Sequence, residues 1–181
     1  MKRVLGFVIL IFLAVAIGLS VFVSNAQNKP LGVGDKLPSF VLKDQFGVDF
    51  DISEHIGKSA MVIYFYPKDD TPGCTKEACS FRDSYEEFTD RNILVVGISS
   101  DSVESHREFA KKYQLPFTLL SDTDNRVREM FGVKPDLMGL LPGRVTYVVD
   151  EQGRIMFMHD SQFKAQSHIS EALEALQSAG Y

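Results

Sequence analysis

Residues 60–79, AMVIYFYPKDDTPGCTKEAC, join an apolar run, a proline, a polar turn and both cysteines of the 181-residue chain, Cys74 and Cys79. The run from Ala60 to Tyr66 has no polar alternation, which predicts a central strand buried on both faces. Pro67 bounds it. Beyond the turn, Thr71 or Asp70 is placed to cap a helix, and Pro72 suits the first helical position because its missing N–H has no partner there. At 100° per residue, Cys74, Ala78, Phe81, Tyr85 and Phe88 form one stripe, with Arg82, Asp83 and Glu86 on the other side. If that stripe packs on the sheet, Cys74 stands at a helix N-terminus over the carboxyl end of the central strand. Open α/β sheets place their ligand sites there.

The rest of the chain alternates in the same manner. Segments 39–42 and 48–52 flank Asp44-Gln45-Phe46-Gly47 as a hairpin, and Ile93 to Ile98 is a second buried strand. Phe117 to Leu120, Arg144 to Val149 and Ile155 to His159 are further strands, the last two joined by a turn at 150–153. Helical spacing appears over Ser102 to Tyr113, over Asn125 to Phe131 and around Ile169, Leu173 and Leu176. Interleaved strands and helices predict an α/β layered sheet.

With 45% hydrophobic and 24% charged residues, the composition suits a folded domain. The N-terminus stands apart. Lys2 and Arg3 precede an apolar run from Val4 to Val23, followed by Ser24-Asn25-Ala26. Twenty apolar residues can span a bilayer, and the small residues fit a cleavage site. Residues 1–26 therefore read as a signal peptide or a membrane anchor, 27–30 as a short tether and 31–181 as one domain. Either reading holds that domain outside the cytoplasm, in a periplasm or lumen or on the extracellular face. Without Lys2 and Arg3 the chain carries 17 basic and 24 acidic residues, a net charge of −7 that argues against nucleic acid as a partner.

A thiol at a helix N-terminus is chemically active. The unpaired N–H groups and the positive end of the helix favour the thiolate, which is the nucleophile. Complete ionisation of an ordinary thiol contributes only about 30-fold at neutral pH, whereas enzymatic accelerations start near 10⁶. Donors aimed at the reacting atoms are also needed, and Thr71, turn N–H groups and a cation are the candidates. Cys79 raises a geometric question. In an intact helix, residues five apart lie about 8.6 Å from each other between Cα atoms, and a disulfide needs about 7 Å or less. Joining the two requires unwinding, which suggests a redox cycle. A structural staple remains open, contributing about 2 kcal/mol for so short a loop. So does a tethered binding module. The histidines at 55, 106, 159 and 168 make no zinc pattern with the cysteines.

Three other motifs have structural readings. Ser121-Asp122-Thr123-Asp124-Asn125 lacks the glycine and distal glutamate of a calcium loop and reads as a turn and helix cap. Leu31-Gly32-Val33-Gly34 is no dinucleotide fingerprint. Asp69-Asp70 reads as turn and cap chemistry.

The run from Tyr64 to Asp83, YFYPKDDTPGCTKEACSFRD, resembles the active-site segment of the peroxiredoxins, specifically the peroxiredoxin Q or bacterioferritin comigratory protein subfamily. Residues 33–40, VGDKLPSF, resemble the family's opening, and 143–150, GRVTYVVD, its late arginine-bearing strand. The likeness covers about residues 31–179 and implies a thioredoxin-like fold with a central mixed sheet flanked by helices. It also implies roles. Cys74 matches the peroxidatic cysteine, Thr71 the threonine that orients peroxide, Pro72 the proline that shields the thiolate and Arg144 the arginine that holds it. Thr71, Gly73, Cys74 and Arg144 would contact the substrate, and Cys79 matches a resolving cysteine in the same helix. The implied activity is reduction of hydrogen peroxide and alkyl hydroperoxides through a Cys74 sulfenic acid and a Cys74–Cys79 disulfide. A thioredoxin-type dithiol would reset it, with no metal or organic cofactor, in a monomer.

Overall fold

The computed structural model describes residues 29–181. The expected signal or anchor, residues 1–26, and the first part of the tether lie outside the described residues. Among the described residues, no helix is long and apolar enough to cross a membrane.

The predicted hairpin forms from β1 (Val41–Asp44) and β2 (Asp49–Asp51). The Asp44 carboxylate closes its turn, accepting from the N–H groups of Phe46 and Val48 at 2.8 and 2.9 Å. The remaining strands are β3 (Ala60–Phe65), β4 (Ile93–Ser99), β5 (Thr118–Ser121), β6 (Val145–Val149) and β7 (Ile155–Asp160). They make one sheet in the order β2-β1-β5-β4-β3-β6-β7. The inner strands β3, β4 and β5 run parallel, and β6 lies antiparallel to β3, so the sheet is mixed.

The helices are α1 (Pro72–Asp83), α2 (Tyr85–Thr89), α3 (Val103–Tyr113), α4 (Arg126–Phe131) and α5 (Ser167–Ser178). A strand's side chains alternate between faces, and β3, buried along its whole length, shows this clearly. Val62 and Tyr64 join Cys74, Ala78, Phe81, Phe109 and Leu176 on one face. Met61, Ile63 and Phe65 join Phe40, Val127, Phe131 and Tyr147 on the other. Helices cover both faces, which is the thioredoxin-like α/β arrangement.

Two details fix where α1 sits. The predicted stripe does face the sheet, with Cys74, Ala78, Phe81 and Phe88 buried. It is carried by two helices, because Ser84 leaves helical dihedrals at φ −100° and ψ 10°. The Phe81 ring stacks on Tyr64 at 4.6 Å between centroids. Gly97 is the residue of β4 paired with Tyr64, and a Cβ on it would lie 2.7 Å from the Tyr64 ring. Only glycine leaves room for that tyrosine, and through it for α1.

Candidate active site

Strand β3 delivers the chain to the turn 66–71, and α1 leaves from it, so Cys74 lands in the first turn of α1 at the carboxyl end of the inner strands. Pro72 takes the first helical position, as expected, and is exposed. Thr71 is the N-cap residue by position, but its hydroxyl donates to the Lys68 carbonyl at 3.0 Å and makes no cap bond. The alternative cap, Asp70, points elsewhere. It adopts φ 55°, and its carboxylate accepts from Lys112 Nζ at 2.6 Å and from the Tyr113 hydroxyl at 2.6 Å, tying the turn to α3.

Asp69 corrects the turn-and-cap reading more strongly. It is buried and accepts from the Tyr66 hydroxyl at 2.7 Å and from the Ser105 hydroxyl at 2.8 Å. His106 Nδ1 lies 2.8 Å from its Oδ2, and His106 Nε2 faces the Leu120 carbonyl at 3.1 Å. The Asp69 N–H in turn donates to Asp101 at 2.9 Å. The turn that presents Cys74 is thus anchored in the core by polar bonds. The turn-and-cap reading of residues 121–125 does hold: Asp122 accepts from the N–H groups of Val127 and Arg128 at the start of α4.

Arg144 lies immediately before β6, the neighbour of β3, which carries its side chain under α1. Its Nη2 donates to the Cys74 sulfur at 3.3 Å, its Nη1 to Glu77 Oε2 and its Nε to the Gln162 carbonyl at 3.1 Å. Three bonds from one planar group fix its orientation. A Cβ on Gly73 would stand 3.3 Å from Nη2, so the glycine gives the guanidinium its approach to the sulfur. Burial by itself disfavours the Arg144 charge, but Glu77 and Cys74 outweigh it and raise the guanidinium above its ordinary value. A second buried guanidinium, Arg128, braces the site from α4. It donates to the carbonyls of Gly143 at 2.7 Å and Tyr66 at 2.8 Å, locking the approach to Arg144 against the end of β3.

Glu77 sits one turn after Cys74 and is fully buried. Burial pushes its carboxyl up to about 8, against the opposing pull of Arg144. Among the described residues its Oε1 has no hydrogen-bond partner, and it lies 3.7 Å from His168 Nδ1. His168 is engaged with the Thr146 hydroxyl and the Ser161 carbonyl, each at 2.8 Å, and burial pushes it down to about 4.

A cleft of about 510 Å³ opens beside the sulfur. Thr71, Gly73, Cys74 and Arg144 all line it, so the structure brings together the four residues expected to contact substrate. Leu141 and Phe163 add an apolar wall. Cys74 itself is only 2% exposed. Cys79, in the same unbroken helix, is half-buried, and both thiols are free. At ideal helical spacing they stand about 8.6 Å apart between Cα atoms.

Glu77, His106 and Arg128 went unassigned in the sequence. A signal existed for two of them. Glu77 lies 60° from the α1 stripe, and His106 falls between Val103 and Phe109 on the apolar side of α3. Polar residues at such positions are buried with partners.

Known proteins resemble this chain in sequence and in fold. The model of the AhpC/TSA family matches residues 33–158. The chain is 56% identical over 145 residues to chloroplastic peroxiredoxin Q of Sedum lineare, covering 80% of this chain and 77% of that protein. It is 52% identical over 156 residues to chloroplastic peroxiredoxin Q of Populus jackii, covering 86% and 73%. Among solved structures, the peroxidoxin BcpB of Mycobacterium tuberculosis superposes with a TM-score of 0.77 at 37% identity, covering 83% of this chain and 99% of that one. A Cys-to-Ser variant of Xylella fastidiosa PrxQ superposes with a TM-score of 0.78 at 29% identity, covering 84% and 99%.

These relatives overturn the expected location. The apolar N-terminal run predicts a domain held outside the cytoplasm, yet the plant proteins that match four-fifths of the chain are chloroplastic. Hydropathy reports that a segment is apolar, and does not report which compartment reads it. With the family model, the relatives and the solved structures in agreement, the chain belongs to the AhpC/TSA family, among the peroxiredoxins Q, and is a peroxide-reducing oxidoreductase.

Proposed function

We propose that Cys74 is the peroxidatic nucleophile and Cys79 the resolving thiol of a peroxidase whose catalytic unit is residues 31–181. The Cys74 thiolate attacks the terminal oxygen of hydrogen peroxide or an alkyl hydroperoxide. A sulfur–oxygen bond forms, the O–O bond breaks, and hydroxide or alkoxide leaves and is protonated. Arg144, Thr71 and the N–H groups of the first helical turn, Gly73 among them, hold the oxygens as charge develops. Pro72 rigidifies that turn. The observation that carries this reading is the Arg144 guanidinium donating to the Cys74 sulfur within a cleft.

The first turns of α1 then unwind, and the Cys79 thiol condenses with the sulfenic acid, releasing water and forming the disulfide. A thioredoxin-type dithiol reduces it by exchange. Both thiols belong to one helix, so the cycle needs no residue from a second chain.

Stopped-flow peroxide reduction by the full chain tests this. Cys74→Ser abolishes consumption, whereas Cys79→Ser consumes one equivalent and then stops with thioredoxin as reductant. Equal consumption by wild type and Cys74→Ser would overturn the assignment.

A further inference from the structure

We propose that Glu77 is the charge-balancing acid of the reaction, carrying a proton while Cys74 is a thiolate and releasing it as the thiolate charge is consumed. The inference rests on the reading of Cys74 as the nucleophile.

Arg144 is shared. Its Nη2 bonds the Cys74 sulfur and its Nη1 bonds Glu77 Oε2, and the two acceptors are three residues apart on one helix. Both are removed from water, Cys74 at 2% exposure and Glu77 at 0%. One cation facing two anions in a medium of low dielectric leaves one negative charge uncompensated, and such a charge is removed by taking up a proton. The orphaned Oε1 decides where the proton goes. A carboxylate oxygen buried without a donor is costly, whereas the protonated acid keeps Oε2 on Arg144 and carries no net charge.

Among the described residues, the other groups around Glu77 supply no second cation to it. His168 faces it from α5 but is held neutral by burial, with its ring nitrogens occupied by Thr146 and Ser161. Tyr64, facing from β3, is fully buried and titrates well above its ordinary value, so it stays neutral as well. Arg128 is engaged by the carbonyls of Gly143 and Tyr66, and the charges it feels are Asp122 first and Cys74 second, so counting it brings in Asp122 as a further anion and leaves one negative charge over. The upward push on Glu77 agrees in direction.

The balance follows. Cys74–S⁻ and R′O–OH give Cys74–S–OH and R′O⁻; sulfur is oxidised, the peroxide is reduced, and the alkoxide needs one proton. Once the sulfur is uncharged, Arg144 faces one possible anion, and Glu77 ionises against it. The proton that Glu77 gives to solvent offsets the one the alkoxide takes, so the buried site is neutral before and after.

Two measurements on the full chain at pH 7 test this. During a single turnover in weakly buffered indicator dye, wild type takes up no net proton, while Glu77→Gln takes up one proton per peroxide. Infrared difference spectra, reduced minus disulfide, show a protonated-carboxyl C=O stretch in wild type that Glu77→Gln lacks. Peroxide consumption with uptake of a full proton by wild type, or without the carboxyl band, overturns the role of Glu77 and leaves Cys74 in place. No consumption at all overturns the reading of Cys74 itself. The wild-type measurements decide the matter even if Glu77→Gln does not fold.

Discussion

Arg144 Nη2 lies 3.3 Å from the sulfur of Cys74, a residue 70 positions earlier in the chain. Strand pairing makes this contact. β6 runs antiparallel beside β3, with Val145 opposite Phe65, so the residue before β6 arrives next to the turn that starts α1. Glu77 and the Gln162 carbonyl then hold the guanidinium at its other nitrogens, and the donor is in place before any peroxide enters.

Arg144→Lys should be far from conservative. A lysine has one ammonium and cannot reach the Cys74 sulfur, Glu77 and the Gln162 carbonyl together. The second-order rate of peroxide reduction, measured by stopped flow, should fall by about 10²–10³. A rate within a few-fold of wild type would remove Arg144 from the chemistry.

His168 should make the protein acid-sensitive. Its pKa is about 4 when folded against a reference of 6.5, so between those values the unfolded chain binds a proton that the folded one refuses. Its contribution to stability is whole above pH 6.5 and is lost as pH falls towards 4. Urea midpoints followed over that window should drop more steeply in wild type than in His168→Asn. Parallel curves would contradict this.

Glu77 should act in the opposite direction. With its folded value near 8 and a reference of 4.5, the folded state keeps a proton that the unfolded state releases, so stability declines as pH rises from 4.5 to 8. The difference in unfolding free energy between Glu77→Gln and wild type should grow in favour of the variant across that interval. The slope cannot exceed about 1.4 kcal/mol per pH unit for one proton. A difference independent of pH would show that Glu77 is ionised throughout.

Asp69→Ala should cost about 3 kcal/mol in chemical denaturation, because it removes the buried acceptor shared by the Tyr66 and Ser105 hydroxyls and His106 Nδ1, and the 3.3 Å contact between the Tyr66 hydroxyl and His106 Nδ1 replaces only part of it. Since Asp69 also anchors the turn before Cys74, its peroxidase rate should fall too. A loss of stability below about 1 kcal/mol, the level of an ordinary surface change, would mean that the cluster is dispensable.

Gly97→Ala should destabilise by about 1–3 kcal/mol through overpacking, since the added methyl meets the Tyr64 ring at 2.7 Å and Leu119 at 2.8 Å. Thermal melts would report it. An unchanged melting temperature would show that β4 can shift away from α1.

What the chain states by itself is what neighbours in sequence decide. The strand at 60–65 was legible because burial on both faces removes polar residues, and the start of α1 because Thr71 and Pro72 have strong positional preferences. The stripe that faces Cys74 inward was legible from helical period alone. Cys74 could be singled out by its place at a helix N-terminus, but Arg144 entered only through resemblance, because no local pattern couples two residues that strand pairing brings together.

Asp69 shows the limit most clearly. Next to Asp70 in a polar turn, it has the composition of a cap, and only the packing of α3 against the sheet gives it Ser105 and His106 as partners. Glu77 is similar: its place near the stripe predicts burial, while its shared use of Arg144 and its unpaired oxygen depend on β6 and α5. Short-range propensity and period determine which elements form and which side of each turns inward. The protonation and charge balance of the site are decided by groups distant in sequence, because Coulomb interaction and desolvation depend on distance in space.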